Sequence, residues 1–188
     1  MEEKLKQDLA DCIKVVLFGP ESTGKSTLAK QLATHYHTVF VPEYSRIFAE
    51  AKLRSNQLLT KENALPIAEG QMRLENKMAP KANQVLICDT DLLETKVYSE
   101  FYYDGFCDPV LEKYAIENTY ELYFLTYIDI PWKADNLRDK PNERETMFNA
   151  FKSALTTYNK PYILLKGSIE ERFKLAVDHI DELIKIKV

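Results

Sequence analysis

The chain has only three cysteines, Cys12, Cys88 and Cys107, odd in number, widely spaced and without a C-x-x-C pair. That pattern indicates neither a disulfide framework nor a zinc site. His35 and His37 could be imagined as a metal pair, but their place at the end of a helical pattern suits polar surface better. Long apolar runs are absent, and Met1 to Asp8 lacks the apolar core of a signal peptide, so a cytosolic location is expected. Basic excess is missing too. With 25 Lys and Arg against 29 Asp and Glu the formal charge is −4, which points away from nucleic acid or a membrane as a main partner. No repeat, low-complexity tract or linker is visible. What remains is 188 residues, 45% hydrophobic and 29% charged, the size and balance of a single domain over 1–188.

The informative stretch runs from Ile13 to Thr27. Ile13, Val15, Val16, Leu17 and Phe18 make a short apolar run rich in β-branched residues, suited to a strand covered on both faces. Gly19-Pro20-Glu21-Ser22-Thr23-Gly24-Lys25-Ser26 then fits the phosphate-loop pattern G-x-x-x-x-G-K-S/T at every fixed position, and a helical stripe follows at Leu28, Ala29, Leu32 and Ala33. Such a loop turns successive backbone N–H groups toward an anion at a helix N-terminus. Gly19 through Thr27 is therefore the expected nucleotide-binding segment, with Lys25 at the β- and γ-phosphates and the Ser26 hydroxyl on Mg²⁺.

Strand and helix patterns alternate through the rest of the chain. Residues 1–12 read as an amphipathic lead-in with Leu5, Leu9 and Cys12 at helical spacing. Thr38 to Val41 reads as a second strand delivering Pro42-Glu43-Tyr44-Ser45-Arg46 to the sheet's carboxyl edge, where open α/β sheets collect ligands. A helix over Tyr44 to Arg54 is expected to turn Ile47, Phe48 and Ala51 inward; another spans Thr60 to Met78, kinked or started by Pro66. The run from Gln84 to Cys88 makes a third strand ending on Asp89, the form of the acidic motif that approaches Mg²⁺ in phosphate-loop enzymes. Asp91 can join it or cap the helix beginning at Leu92. Asp108-Pro109 starts a helix, Tyr120 to Ile130 suggests the fourth strand, Pro161 to Leu165 gives the fifth, and Ser168 with Glu171 fits a capping box. The expected architecture is α/β, a phosphate-loop NTPase with five parallel strands and helices on both faces. The polar segment at about 132–146, with Arg138 and Arg144, reads as a mobile lid.

A phosphate loop alone says nucleotide binding, not which reaction. A guanine switch calls for Asn-Lys-x-Asp after the fourth strand, and the chain offers only Asn76-Lys77-Met78-Ala79 in the wrong place. A motor or assembly ATPase acting through a protein partner usually carries more chain. A small-molecule kinase needs a carboxylate at the acceptor hydroxyl, Mg²⁺ ligands and cations on the transferring phosphoryl group. Glu43, Asp89 or Asp91, and Arg138 with Arg144, can supply those parts, so the kinase reading uses more of the sequence.

Taken together, the loop at 19–26, Pro42-Glu43-Tyr44-Ser45-Arg46, Asp89-Thr90-Asp91 and Asp129-Ile130-Pro131-Trp132 with Asp135 and Leu137-Arg138 resemble the nicotinamide riboside kinase domain of NadR-type proteins, grouped within the AAA-like P-loop kinases. The resemblance covers about 13–185 and implies ATP-dependent, Mg²⁺-assisted phosphorylation of the riboside 5′-hydroxyl to nicotinamide mononucleotide. For that reaction the candidate catalytic residues are Lys25, Glu43, Asp89, Arg138 and Arg144, with Ser26 and Asp89 on the metal, Glu43, Tyr44, Arg46, Asp91, Trp132 and Asp135 around a nucleoside, and the base open among Glu43, Asp89 and Asp91. The pyridinium of that substrate suits an aromatic face such as Tyr44, Tyr102, Tyr103 or Trp132. Twelve lead-in residues cannot encode the adenylyltransferase or DNA-binding segments that NadR proteins commonly carry, so neither activity is expected of this chain.

Overall fold

The computed structural model describes residues 2–134 and 141–187. Five strands, β1 (Ile13–Phe18), β2 (Phe40–Val41), β3 (Val85–Asp89), β4 (Leu122–Thr126) and β5 (Tyr162–Leu165), form one parallel sheet in the order β2-β3-β1-β4-β5. The sheet is the expected five-stranded one. Its central strand β1 is buried along its whole length, which is why its sequence is apolar on both faces apart from Lys14, whose ammonium pairs with Glu75. Ile13, Val15 and Leu17 meet one core cluster, with Val85, Ile87, Leu122 and Phe124 from the neighbouring strands. Val16 and Phe18 meet the other, with Leu86, Cys88, Tyr123 and Leu125. That strict alternation is the two-residue period of a strand.

Helices α1 (Lys25–His35) and α7 (Ile169–Lys187) cover the first face with Leu28, Leu32, Ala176 and Ile180. The opposite face carries α3 (Ala64–Met78), α4 (Leu92–Tyr102), α5 (Pro109–Glu117) and α6 (Arg144–Thr157). Phe18 anchors that layer through edge-on contacts with Tyr123 and Phe151, ring centroids 5.5 and 4.9 Å away. Burying a side chain of this kind contributes about 1.5–3 kcal/mol. Helix α2 (Tyr44–Arg54) packs on α3 alone among its larger contacts.

Several boundaries differ from expectation for visible reasons. Thr38 does not join β2, because its hydroxyl donates to the Val85 carbonyl and accepts the Asn83 N–H, replacing the ladder. β4 stops at Thr126, and the next carbonyl, that of Tyr127, is taken by Arg172. The lead-in is a 3₁₀ turn over Glu2–Leu5 followed by extended chain: Leu5 and Cys12 are buried, but Leu9 is fully exposed. Its backbone is held by side chains of α3, with Asn76 both accepting the Asp8 N–H and donating to the Lys6 carbonyl. On α2 the expected inward face is also wrong, since Ile47 and Ala51 are exposed and Ala49 is the buried residue. Pro66 lies in the first turn of α3, after a 3₁₀ turn capped by Thr60 and Asn63, so it starts the helix rather than kinking it. The Asp108 cap with Pro109 at the first helical position, and the reciprocal Ser168–Glu171 box, form as expected. No helix among the described residues is long and apolar enough to cross a membrane.

Candidate active site

All five strands point their carboxyl ends to one edge, and β1 hands the chain to the phosphate loop there. Gly19 has φ +139°, and a Cβ on it would stand 2.7 Å from Thr126 Oγ1 and 3.0 Å from the Thr126 carbonyl oxygen. Gly24, φ +87°, turns the chain into α1. Both positions demand glycine. Thr23 is buried, its hydroxyl donating to the Pro20 carbonyl and sharing a 2.7 Å hydrogen bond with Thr126, whose own Oγ1 contacts the Phe18 carbonyl at 3.2 Å. Thr23 thus braces the loop from beneath. Among the described residues no side chain caps α1 and its first turn carries no acid, so its leading N–H groups suit an anion. Ser26 and Thr27 are exposed at that turn, while Glu21 and Ser22 form the half-buried rim.

Lys25 is buried and turned back on the loop. Its Nζ donates to the carbonyls of Gly19 at 2.5 Å and Pro20 at 3.0 Å and lies 3.2 Å from Glu94 Oε1. Burial opposes its charge, but Glu94, Glu43 and Asp89 outweigh that and hold its pKa above the ordinary lysine value. The carboxylates respond in the opposite sense. Burial, then the neighbouring Glu43, pushes Asp89 up to about 6 despite Lys25 and the Ser26 hydroxyl. Burial drives Glu94 well up, against the pull of Lys25. Glu43 reaches this group from the end of β2, where its Oε1 accepts the Ser45 hydroxyl at 2.6 Å. One cation among three carboxylates, two of them buried, marks a site prepared for charge chemistry.

Asp89 Oδ1 is buried without a hydrogen-bond partner among the described residues, and the Ser26 hydroxyl donates to the same carboxylate. Two hard oxygen ligands with one acceptor position open fit the protein's share of a Mg²⁺ site, most of whose ligands are water and phosphate. No group of three or more His, Cys, Asp or Glu among the described residues is placed to hold a metal by itself.

The other rim comes from the β4–α6 connection. The Arg144 guanidinium donates to the Ile130 carbonyl at 3.0 Å and the Ser22 carbonyl at 3.4 Å and lies over the Trp132 ring, 5.7 Å from its centroid. Lys133 N–H donates to the Ser22 hydroxyl at 2.9 Å. Arg144 and Trp132 are therefore brought to the loop. Arg138 and Asp135 lie outside the described residues.

Three expected substrate contacts have other partners. Asp91 caps α4, one oxygen accepting the Glu94 N–H at 3.0 Å and the other the Tyr123 hydroxyl at 2.8 Å. Of the two roles open to it, the geometry gives the cap. Tyr44 packs flat on α3 at Gly70, where a Cβ would stand 1.9 Å from its ring, and bonds Arg73. Arg46 pairs with Glu50 one turn on, at 3.5 Å on the helix surface.

Three residues at the site escaped sequence reasoning. Glu94 follows Asp91 by three, so its only signal was the spacing of a capping box. Tyr98 lies one turn further along α4, its ring centroid 5.2 Å from that of Phe151, and its pKa is raised well above the usual value by burial and then by Glu94, Glu43 and Glu21. Arg172, buried on α7, donates to the carbonyls of Thr23 at 2.9 Å, Gly167 at 3.0 Å and Tyr127 at 3.0 Å and pairs with Asp129. Nothing local announced it.

Residues 14–172 match the family described as the AAA domain. The chain belongs to this AAA domain family. The matched span of the AAA domain runs from the strand before the phosphate loop to Arg172, the residue that clamps it. Over 174 residues, 90% of the chain, it is 28% identical to the trifunctional NAD biosynthesis/regulator protein NadR of Salmonella typhimurium and 27% identical to that of Escherichia coli. The chain spans 42% of the length of these curated relatives. Among solved structures, a NadR protein in complex with NR superposes with a TM-score of 0.78 at 21% identity, covering 92% of this chain and 51% of that one. Deoxyadenosine kinase from M. mycoides with bound dATP gives 0.60 at 14% identity, covering 90% of this chain and all of that one. Both likenesses describe the fold of this AAA domain.

Proposed function

We propose that the chain is a cytoplasmic ATP-dependent kinase of small molecules that transfers a phosphoryl group to the 5′-hydroxyl of nicotinamide riboside, giving nicotinamide mononucleotide for NAD salvage. The observation that carries this reading is the gathering of Lys25, at the start of α1, with Asp89 at the end of β3 and Glu43 just past β2, at one phosphate loop. The identity to NadR proteins over 90% of the chain supports the acceptor. In the reaction the riboside oxygen forms a bond to the γ-phosphorus, the bond to the β–γ bridging oxygen breaks, and ADP leaves. Glu43 takes the hydroxyl proton. Lys25 and the α1 N-terminus hold the phosphates, and Arg144, with Arg138 from the 135–140 segment, neutralises charge on the moving group. Ser26 and Asp89 would hold Mg²⁺, which would supply positive charge to offset that of the phosphates.

A panel of nucleosides assayed for ATP-dependent phosphorylation, with Lys25→Ala as control, tests the proposal. Transfer to nicotinamide riboside, lost in the control while its circular dichroism stays native, is the expected result. Transfer only to another nucleoside would reassign the acceptor. Nucleotide hydrolysis stimulated only by a protein partner would replace the kinase reading with that of a switch or ATPase.

A further inference from the structure

Glu94 enters the site from α4 with its side chain 2% exposed. Its two oxygens divide between the ends of the loop: Oε2 accepts the Gly19 N–H at 3.3 Å, and Oε1 stands 3.2 Å from Lys25 Nζ, a contact of charges without the alignment of a hydrogen bond. An ammonium group has three N–H donors. On Lys25 two of them go to the Gly19 and Pro20 carbonyls, with Glu94 beside the charge, so the side chain lies folded against the first two residues of its own loop. To meet a phosphate it must leave at least part of that set.

The three contacts are not equivalent. Two are carbonyl dipoles, whereas Glu94 is a full charge in a buried site, where charge interactions exceed their strength in water several-fold. Of the three, it alone competes with a phosphate for the charge of Lys25. The Gly19 N–H gives Glu94 a second anchor that does not depend on Lys25, so the carboxylate keeps its place when the lysine moves.

We propose that Glu94 is a positioning residue for Lys25: it holds the ammonium at the head of the phosphate loop and yields it to the phosphates of an incoming nucleotide. It acts through Lys25 and touches neither the acceptor nor the reacting phosphorus. Burial supports the exchange, because it disfavours a Glu94 charge that has lost its lysine and lets the carboxyl take up a proton instead. The inference rests on the nucleotide-binding reading, and its turnover arm on the kinase reading.

The test is a double-mutant cycle with the non-hydrolysable nucleotide AMP-PNP, affinities being measured by calorimetry on the full chain. Glu94→Gln keeps an acceptor for the Gly19 N–H and removes the competing charge. It is expected to tighten AMP-PNP binding about 3- to 10-fold, and that gain should vanish when Lys25 is replaced by Met. Turnover should follow the tighter binding: nucleotide KM falls in the same proportion, because the charge that Glu94 withheld is given to the phosphates in ground and transition state alike. Weaker AMP-PNP binding by a folded Glu94→Gln, or the same gain in the Lys25→Met background, would overturn the proposal. In the second case Glu94 repels phosphate directly and does nothing to Lys25. If Glu94→Gln does not fold, Glu94→Met carries the same cycle with an apolar side chain of similar length. A parent protein that fails to bind AMP-PNP overturns the nucleotide reading itself, whereas one that binds it but transfers nothing overturns the kinase reading and leaves the cycle readable.

Discussion

Arg144 lies over the indole of Trp132, its guanidinium carbon 5.7 Å from the ring centroid, and the same guanidinium donates to the Ser22 carbonyl of the phosphate loop. An indole face suited to a cationic acceptor is thus already met by a cation from the protein. Loss of the ring should be felt by both substrates. Trp132→Ala is expected to raise acceptor KM about 2- to 30-fold and to raise nucleotide KM with it, and Trp132→Phe should recover part of each loss. A nucleotide KM unchanged in Trp132→Ala would mean that Arg144 keeps its place without the ring.

Glu43 stands just past the end of β2, and its carboxylate acts on the charges of Lys25, Asp89 and Glu94. Removing its ability to accept a proton should lower turnover more than binding. Glu43→Gln is expected to reduce kcat about 10²-fold or more with little change in nucleotide affinity. Steady-state kinetics beside AMP-PNP calorimetry separates the two, and a collapse of nucleotide affinity would move Glu43 to the metal side.

Asp89 should cost the folded protein stability at neutral pH. Burial, then Glu43, raises its pKa from 3.8 to about 6, so the folded chain holds this proton more tightly than the unfolded chain does. The contribution of the group to stability is therefore full below about 3.8 and is lost as pH rises through about 6. Asp89→Asn cannot ionise. It should melt a few degrees above the parent at pH 8, with the difference closing toward pH 4, while phosphoryl transfer is abolished. Equal melting temperatures across that range would show that the charge is accommodated without penalty.

Arg172 serves three carbonyls and Asp129 with one planar group, a geometry that the point charge of a lysine cannot reproduce. Arg172→Lys is expected to lose about 2–4 kcal/mol in denaturant unfolding and to weaken nucleotide binding, since the Thr23 carbonyl is left without its donor. Unchanged unfolding would reduce the clamp to a surface contact.

What could be read in the sequence was what neighbouring residues decide among themselves. The strand–loop–helix from Ile13 to Lys25, the Asp108-Pro109 start and the Ser168–Glu171 box each complete their own hydrogen bonds or periodicity within a few residues. Asp91 lay at the limit of that legibility: its two roles were both local, and only Tyr123, from β4, decides between them. Ile47 and Leu9 were turned the wrong way because helical spacing predicts a face but not what, if anything, covers it. Glu94, Tyr98 and Arg172 are tertiary residues, and their roles exist only once α4 and α7 are docked beside β1.

The clamp from α7 to the phosphate loop also sets an order of events during synthesis. A nascent chain emerges from the ribosome with the loop ahead of the residues that brace it, and domains assemble as their segments become available. Thr126, which packs against Gly19 and bonds Thr23, comes about a hundred residues later, and Arg172 later still. Until those residues emerge, the loop bears a signature that it cannot yet act on. Competence to hold a nucleotide arrives late and together with the folded sheet, which keeps incomplete chains from capturing ligand.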